Sequence, residues 1–507
     1  MSKSVEEKLQ ERVDSFVEKL IPKSPAKAHK KIIHDSIWGT QLLQDYEVAV
    51  LNTPLLQRLR YIHQTGFCYL TYPSALHTRF DHSLGVLYQA NRLSSHLREK
   101  YSDKRNPIID DVSLRKIRLA ALLHDCSHGL FSHTSEEVYR LSDDMKNLTS
   151  PGGKFEGSSP SEILVHFIFQ SAPFKKFFKK LQKDYPLEFE LKDLENLILG
   201  QGKDTKIGYH TDIINGPFDA DKLDYIFRDS HFSGLPMSVD IDRLWYSVEI
   251  QTDPEKKESR RLIMNVRGVN SIEQIVFSRM VLTASVYHHH KVRASDCMFK
   301  AVIEYCKNHN LQLCGRDLHN PDDFLYMTDD MFYAESTYHP NQKVKELIEN
   351  IVHRRLFKRA LVISMNSIKS QMQQNKEQTT LIQQLIEAKY DELRKLADEI
   401  WRKAKRPGLV EEIWVDFPRE PKLKDLEHTL VNSGSRDKPK ISSLRDFIPL
   451  PQWSNLYLLN KWKGYIFCPE KYVSRVAKAA KTVLQEKYKV TFNQFATQLA
   501  NHSHDST

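Results

Sequence analysis

VSLRKIRLAALLHDCSHGLFSH, residues 112–133, decides how this chain reads. Leu114, Ile117 and Ala121 recur at helical spacing, and the same period carried forward places His124, Asp125 and His128 on that apolar face. Three titratable groups would then point into a core. Each one left without a partner costs roughly 1–3 kcal/mol, and a charge costs more. A hydrogen-bonded His/Asp pair is one remedy. A divalent cation, which accepts neutral imidazole and carboxylate together, is another. For this helix alone the hydrogen-bonded pair is the simpler reading.

The dipeptide itself identifies nothing, because His-Asp also occurs at His34-Asp35 and His504-Asp505. Two further helical stretches repeat the anomaly. In residues 78–97, Val86, Ala90, Leu93 and Leu97 define one face, His82 shares it, and Arg79 stands three residues earlier. In FDADKLDYIFRDS, residues 218–230, Asp221, Tyr225, Arg228 and Asp229 form a polar stripe apart from Leu223, Ile226 and Phe227. A packed core histidine and an exposed salt-bridged face explain these two singly. Together the three stretches supply His82, His124, Asp125 and Asp221, two imidazoles and two carboxylates on three helices. That is the donor set a mononuclear metal site on a helical bundle needs, and a metal there lowers the pKa of a bound water toward neutrality.

Around these segments the chain is long and mixed. Its 507 residues suggest two to four domains, and 40% hydrophobic with 27% charged residues argues against wholesale disorder. A net charge of +9 suits a protein that handles phosphates, nucleotides or nucleic acid, and equally a mildly basic surface. The six cysteines form no C-x-x-C pair, so no thiolate zinc site is signalled and a reducing compartment is the simplest expectation. The first twenty residues lack the apolar core of a signal peptide, and no apolar run approaches the ~18 residues that would span a membrane. The expected location is cytoplasmic, without membrane contact.

The sequence divides, on this reading, into an N-terminal helix and linker (1–30), a helical domain that carries the His-Asp site (31–335), a charged helical region (336–408), a C-terminal α+β lobe (409–500) and a disordered tail (501–507). A hairpin is expected within 245–266, and strands at EEIWVDFP (411–418), DFIPL (446–450) and GYIFCPE (464–470). Residues 471–488 return to helix. The fold class is mainly α.

Taken in order, KIIHDSIWG (31–39), NTPLLQRLRYIHQTG (52–66), LHTRFDHSLGV (76–86), LAALLHDCSHGLFSH (119–133), FDADKLDYIFRDSHFSG (218–234) and VYHHHKVR (286–293) resemble successive blocks of HD-domain hydrolases, specifically the deoxynucleoside triphosphate triphosphohydrolases. The resemblance covers residues 31–236 densely and the C-terminal lobe weakly. It implies a helical HD core with a small C-terminal α+β lobe. It also implies hydrolysis of a dNTP by attack of metal-activated water on the α-phosphorus, releasing deoxynucleoside and intact triphosphate.

By block position the resemblance makes His82, His124, Asp125 and Asp221 ligands of one divalent ion (Fe, Mn, Zn, Co or Mg). Arg79 then contacts phosphate, His128 and His133 stand beside the leaving group with His133 as proton donor, and Gln64 faces the sugar. Lys222, Tyr225, Asp229 and Lys291 make further triphosphate and sugar contacts, and His288 stands where the family has a pocket tyrosine. Lys31, Asn52, Gln57 and Arg60 match an allosteric nucleotide site that assembles dimers or tetramers.

The chain departs from the family at Phe155-Glu156, where a His-Glu pair is usual, at His288, where a register shift or a different sugar contact follows, and at Thr65, where leucine is usual. Glu156 is a candidate substitute for the missing histidine. Asn52 replaces an aspartate that would read guanine, and an amide accepts only through its oxygen, so a non-guanine effector or none is expected. Two other readings stay open on sequence alone. One is an HD phosphodiesterase or nuclease, with the basic helices of 353–406 tracking a phosphate backbone. The other is a nucleotide-binding regulatory protein without turnover.

Overall fold

The computed structural model describes residues 3–101, 107–237, 239–368, 382–419, 423–427, 429–436 and 438–501. The loop expected from Ser102, the start of the charged helix at Leu381 and the tail with His504-Asp505 fall wholly or partly outside these residues.

The chain forms two compact units that interleave along the sequence. The first comprises residues 1–278, 318–331 and 424–448, and the second 279–317, 332–423 and 449–507. The continuous segments drawn above at 31–335, 336–408 and 409–500 therefore correspond to neither unit. The cause is strand pairing between distant segments, which leaves no mark in local periodicity.

The first unit is mainly helical. Val5–Leu20 begins at a Ser4/Glu7 capping box and buries Leu9, Val13, Phe16 and Val17. Lys31–Asp35 and Gly39–Leu43 pair as an antiparallel hairpin. Arg79–Lys100 starts at Thr78, whose side chain caps the Asp81 amide while Asp81 bonds back to the Thr78 amide. Asp111–Leu123 starts at Asp110, which accepts from the Ser113 amide at 2.7 Å. Ala220–Ser233 starts at Asp219 and ends on Gly234, whose φ of 71° suits glycine.

A four-stranded sheet completes this unit, in the order Val248–Thr252, Arg260–Asn265, Leu430–Asn432, Ile441–Ser443. The hairpin expected within 245–266 is present, but residues 245–247 belong to the helix Ile241–Ser247 that precedes it. Leu430–Asn432 joins it in parallel, through Met264 and Asn265.

In the second unit three antiparallel strands run in the order Lys358–Ile363, Gly464–Cys468, Trp414–Asp416. Helices Tyr390–Lys403 and Val473–Tyr488 bury Leu396, Ala397, Ile400, Val476, Ala480, Val483 and Leu484 in one core with Leu361, Val415 and Ile466 of the sheet. Strands are found inside the expected stretches, at Trp414–Asp416 and Gly464–Cys468, while Val410–Glu412 is a 3-10 turn. DFIPL is not a strand: Leu444–Asp446 is a 3-10 turn and helix Leu450–Asn460 follows. The region read as wholly helical, 336–408, contains the strand Lys358–Ile363. No helix among the described residues is long and apolar enough to cross a membrane.

Candidate metal centre

The stretch that opened the reading behaves differently from a continued helix. Asp111–Leu123 ends at Leu123, His124 caps it, and residues 125–128 turn away. A Cβ on Gly129 would stand 2.6 Å from the Phe324 carbonyl oxygen, so only glycine lets the chain pass there. Phe131 and Ser132 follow with φ of 49° and 57°, a strained pair for residues with side chains. Asp329 holds that bend, accepting the Phe131 amide at 2.6 Å and the His63 amide at 2.8 Å. His124, Asp125 and His128 therefore converge through a turn and not through helical period.

His82 lies in the first turn of Arg79–Lys100 and Asp221 in the first turn of Ala220–Ser233. His82 Nδ1 is 2.8 Å from Asp224 Oδ2, and His124 Nδ1 is 2.8 Å from the Ala121 carbonyl. Nδ1 of each ring faces an acceptor, which leaves Nε2 to hold a proton or a metal ion. Both Nε2 atoms are buried without an aligned hydrogen-bond partner. They face the same carboxylates: Asp221 Oδ1 stands 3.0 Å from His82 Nε2 and 3.9 Å from His124 Nε2. Asp125 stands 3.5 Å from His82 Nε2 through Oδ2 and 3.4 Å from His124 Nε2 through Oδ1.

The His82 and His124 ring nitrogens and an Asp221 oxygen lie within 4.8 Å of one another, a donor set that fits a divalent ion, while Asp125 flanks both rings without joining that set. The electrostatics agree. Burial opposes a charge on His82, yet Asp221, Asp224 and Asp125 raise its pKa to about 10. The ring sits in a field that demands positive charge, and a cation at Nε2 supplies it as a proton would. Asp221 is held far below the usual carboxylate range, since His82 and His124 outweigh the effect of its burial.

Asp224 is the residue that sequence reading missed. It is fully buried and takes Trp38 Nε1 at 2.5 Å, Arg228 Nε at 2.8 Å and Arg228 Nη2 at 3.0 Å, besides His82. Arg228 also reaches Asp35 at 2.9 Å. The stripe read as Asp221, Tyr225, Arg228 and Asp229 thus splits: Arg228 is 1% and Asp229 4% exposed, so neither belongs to a solvated face. The one available signal was the i, i+4 pairing of Asp224 with Arg228.

Arg79 stands beside the centre, its Nη1 2.5 Å from Asp125 Oδ2 and its Nε 2.8 Å from Ser132 Oγ. With His124 and His128 it keeps Asp125 well below the carboxylate range despite burial. Burial, then Arg79, push His128 down to about 4, so this ring is neutral. His133 is exposed and its Nδ1 lies 2.8 Å from Glu136 Oε2. Glu136 is itself buried, but His133 brings it down to about 2. Glu136 is a second residue that sequence reading missed.

The other expected site residues are placed as follows. The Gln64 amide donates to the His77 carbonyl at 3.0 Å, and its Oε1 is buried without a partner. His77 Nε2 meets Asp229 Oδ1 at 2.8 Å, so His77 ties Gln64 and Asp229 together. Lys222 folds back onto Asp219 at 2.7 Å and the Gly216 carbonyl at 2.9 Å, and Tyr225 is half-buried.

His288 and Lys291 belong to the second unit. There Thr283–Tyr287 winds as a π-turn, a register shift that ends at His288, whose Nδ1 is 3.4 Å from the Tyr457 hydroxyl. Burial and then Arg354, Lys358 and Arg359 lower the Lys291 pKa.

Glu156 is exposed and accepts the Gly152 amide at 2.8 Å in its own turn, while Phe155 packs edge-on to His166 at 5.0 Å. Glu156 is not brought to either group of metal-ligating side chains. Lys31 begins its hairpin exposed, Asn52 is exposed at a helix end, and Gln57 Oε1 accepts from Arg60 Nε at 2.9 Å.

The HD domain matches residues 79–198, and the HD associated region matches residues 239–493. The chain belongs to the family of the HD associated region, which matches half of it, and carries an HD domain ahead of that region. The HD match contains His82, His124 and Asp125, and Asp221 lies between the two matched segments.

Among relatives of this HD protein, an uncharacterized protein of Methanocaldococcus jannaschii is 31% identical over 336 residues, covering 66% of this chain and 60% of its own length. The deoxynucleoside triphosphate triphosphohydrolase SAMHD1 homolog of Dictyostelium discoideum is 25% identical over 341 residues, covering 65% and 59%. The deoxynucleoside triphosphate triphosphohydrolase SAMHD1 of Homo sapiens is 27% identical over 358 residues, covering 65% and 54%. The HD core therefore resembles that of the triphosphohydrolases, and the chain spans 54 to 60% of the length of these three relatives.

Proposed function

We propose that this chain hydrolyses deoxynucleoside triphosphates to deoxynucleoside and inorganic triphosphate at the His82, His124, Asp125 and Asp221 centre. The observation that carries the reading is the convergence of the His82 and His124 Nε2 atoms on Asp221, with Asp125 beside both rings and a guanidinium next to it. The names of the relatives supply the substrate class.

His82, His124, Asp125 and Asp221 would hold one divalent ion. When bound, such an ion acts as a Lewis acid and activates water at neutral pH. Asp125 and Ser132 hold the Arg79 guanidinium beside the centre, and a planar fork suits phosphate oxygens. His133 moves the proton. Its Nδ1–H is held by Glu136, which leaves Nε2 to protonate a departing sugar oxygen, and the buried Glu136 carboxylate stabilises the imidazolium. His128 is kept neutral and lines the same place.

Gln64 and Asp229, joined through His77, are proposed to contact the sugar, and Lys222 and Tyr225 the rest of the nucleotide. Lys31, Asn52, Gln57 and Arg60 are proposed as an effector site that drives oligomer formation. The test is to incubate the pure protein with each dNTP and NTP, singly and in pairs, with several metals, and to identify the phosphorus products. Triphosphate release is expected. Pyrophosphate or monophosphate as the primary product, or cleavage of oligonucleotides instead, overturns the reading.

A further inference from the structure

A second set of donors lies next to the first. His128, His133 and Glu136 each present one ligand atom, and the three atoms lie within 4.8 Å of one another. The rings of His128 and His133 are perpendicular with centroids 5.2 Å apart. His128 Nε2 stands 3.2 Å from Asp125 Oδ1. A proton shared there leaves the lone pair on Nδ1, and Nδ1 is buried without a hydrogen-bond partner. His128 is 3% and Glu136 5% exposed, while the His133 side chain is 71% exposed. Two donors are thus fixed in the interior, and the third stands at the surface where an ion arrives.

We propose that His128, His133 and Glu136 form a second cation site, selective for zinc-like ions. Two imidazoles and one carboxylate with an open fourth position are a donor set that zinc accepts. Magnesium demands oxygen ligands in octahedral array and is excluded. The ion replaces the proton held between His133 Nδ1 and Glu136 Oε2, which stand 2.8 Å apart. Arg140 lies 3.5 Å from the other Glu136 oxygen and Arg79 is close to His128, so neighbouring positive charge makes this site the weaker of the two. With the ion on Nδ1, His133 can no longer become an imidazolium, and giving up its one remaining proton from Nε2 would leave an imidazolate, so it fails as an acid near neutral pH. Excess zinc therefore switches turnover off, and this consequence alone rests on the role proposed for His133.

The test counts metal and needs no activity. Chelator-stripped full-length protein is dialysed against rising Zn²⁺, and bound metal is measured by mass spectrometry. Co²⁺ is followed in parallel by its visible absorption. The wild type is expected to take a tight and then a weak equivalent, and His133→Ala and Glu136→Gln one tight equivalent each. His133 is exposed and Glu136→Gln nearly isosteric, so both variants keep the fold, which circular dichroism verifies. A single equivalent in the wild type, or two in both variants, overturns the site. Asp221→Asn separates this failure from failure of the first centre. It keeps the weak equivalent if the second site is independent, and loses both if the weak ion shares the first site's ligands, which overturns the proposal.

Discussion

His82 Nδ1 meets Asp224 Oδ2 at 2.8 Å, and that contact decides which nitrogen of the ring faces Asp221. The carboxylate is fixed in turn by Trp38 and Arg228, and Arg228 by Asp35. The N-terminal hairpin, which carries Asp35 and borders Trp38, thus takes part in orienting a candidate ligand on a helix far along the chain.

Asp224→Asn tests this relationship. Asp224 accepts from three donor groups, the His82 ring, the Trp38 indole and the Arg228 guanidinium, whereas an amide offers one accepting oxygen and presents an NH₂ to the remaining donors. The ring loses its fixed tautomer. Metal affinity should fall about 10- to 100-fold, the usual range for loss of such a support, as measured by calorimetric titration with Mn²⁺. Unchanged affinity in a folded variant would show that His82 is oriented by something else.

Gly85→Ala gives a second check on the same packing. Exchange of a mid-helix glycine for alanine ordinarily stabilises by about 1 kcal/mol. Here the new Cβ would stand 1.8 Å from Asp224 Oδ1 and 2.5 Å from Arg228 Nη2, both locked in buried ion pairs. Overpacking of this kind costs roughly 1–3 kcal/mol, so the clash wins. Thermal unfolding should show a lower midpoint, and metal affinity should fall with it.

Legibility in the sequence follows range. Val5–Leu20, Arg79–Lys100, Ala220–Ser233 and Val473–Tyr488 are readable because their apolar period is local. His124, Asp125 and His128 come near one another through the turn after Leu123, and that turn depends on how Gly129 fits against Phe324, which local periodicity does not carry. Asp224 was hidden because FDADKLDYIFRD offers four acids, and which of them turns inward depends on His82 and Trp38. The His77–Asp229 pair joins residues from two distant segments, and no local pattern announces it. The strand Lys358–Ile363 sits in a charged, helix-rich region and is a strand because Gly464–Cys468 pairs with it.

Glu47 and Arg118 make a bidentate buried pair, with Nε–Oε1 at 2.6 Å and Nη2–Oε2 at 2.7 Å, Glu47 fully buried and Arg118 7% exposed. It pins the helix Asp45–Leu51 to Asp111–Leu123. Arg118→Met strands a buried carboxylate and should cost about 3–5 kcal/mol. Replacing both, with Glu47→Leu added, removes the stranded charge and should recover most of that loss. Urea denaturation of the two single variants and the double closes the cycle. An additive result would mean that the pair is not coupled.

His210 predicts the acid limb of stability. It is 2% exposed in Gly208–Ile214, and neither ring nitrogen has an aligned hydrogen-bond partner among the described residues. Burial, then the charge of Lys116, push its pKa down to about 3, against about 6.5 in an unfolded chain. The folded state therefore binds the neutral ring and the unfolded state takes up the proton. This contribution is complete above about pH 6.5 and is lost as the pH falls from there toward 3, by up to about 1.4 kcal/mol per pH unit. His210→Phe keeps an apolar ring in place and removes the titrating group, with the loss of a weak contact to the Ile108 backbone. Urea midpoints measured at intervals from pH 7.5 to about 4.5 should fall more steeply in the wild type than in the variant, and curves that fall in parallel would mean that His210 takes up no proton on unfolding.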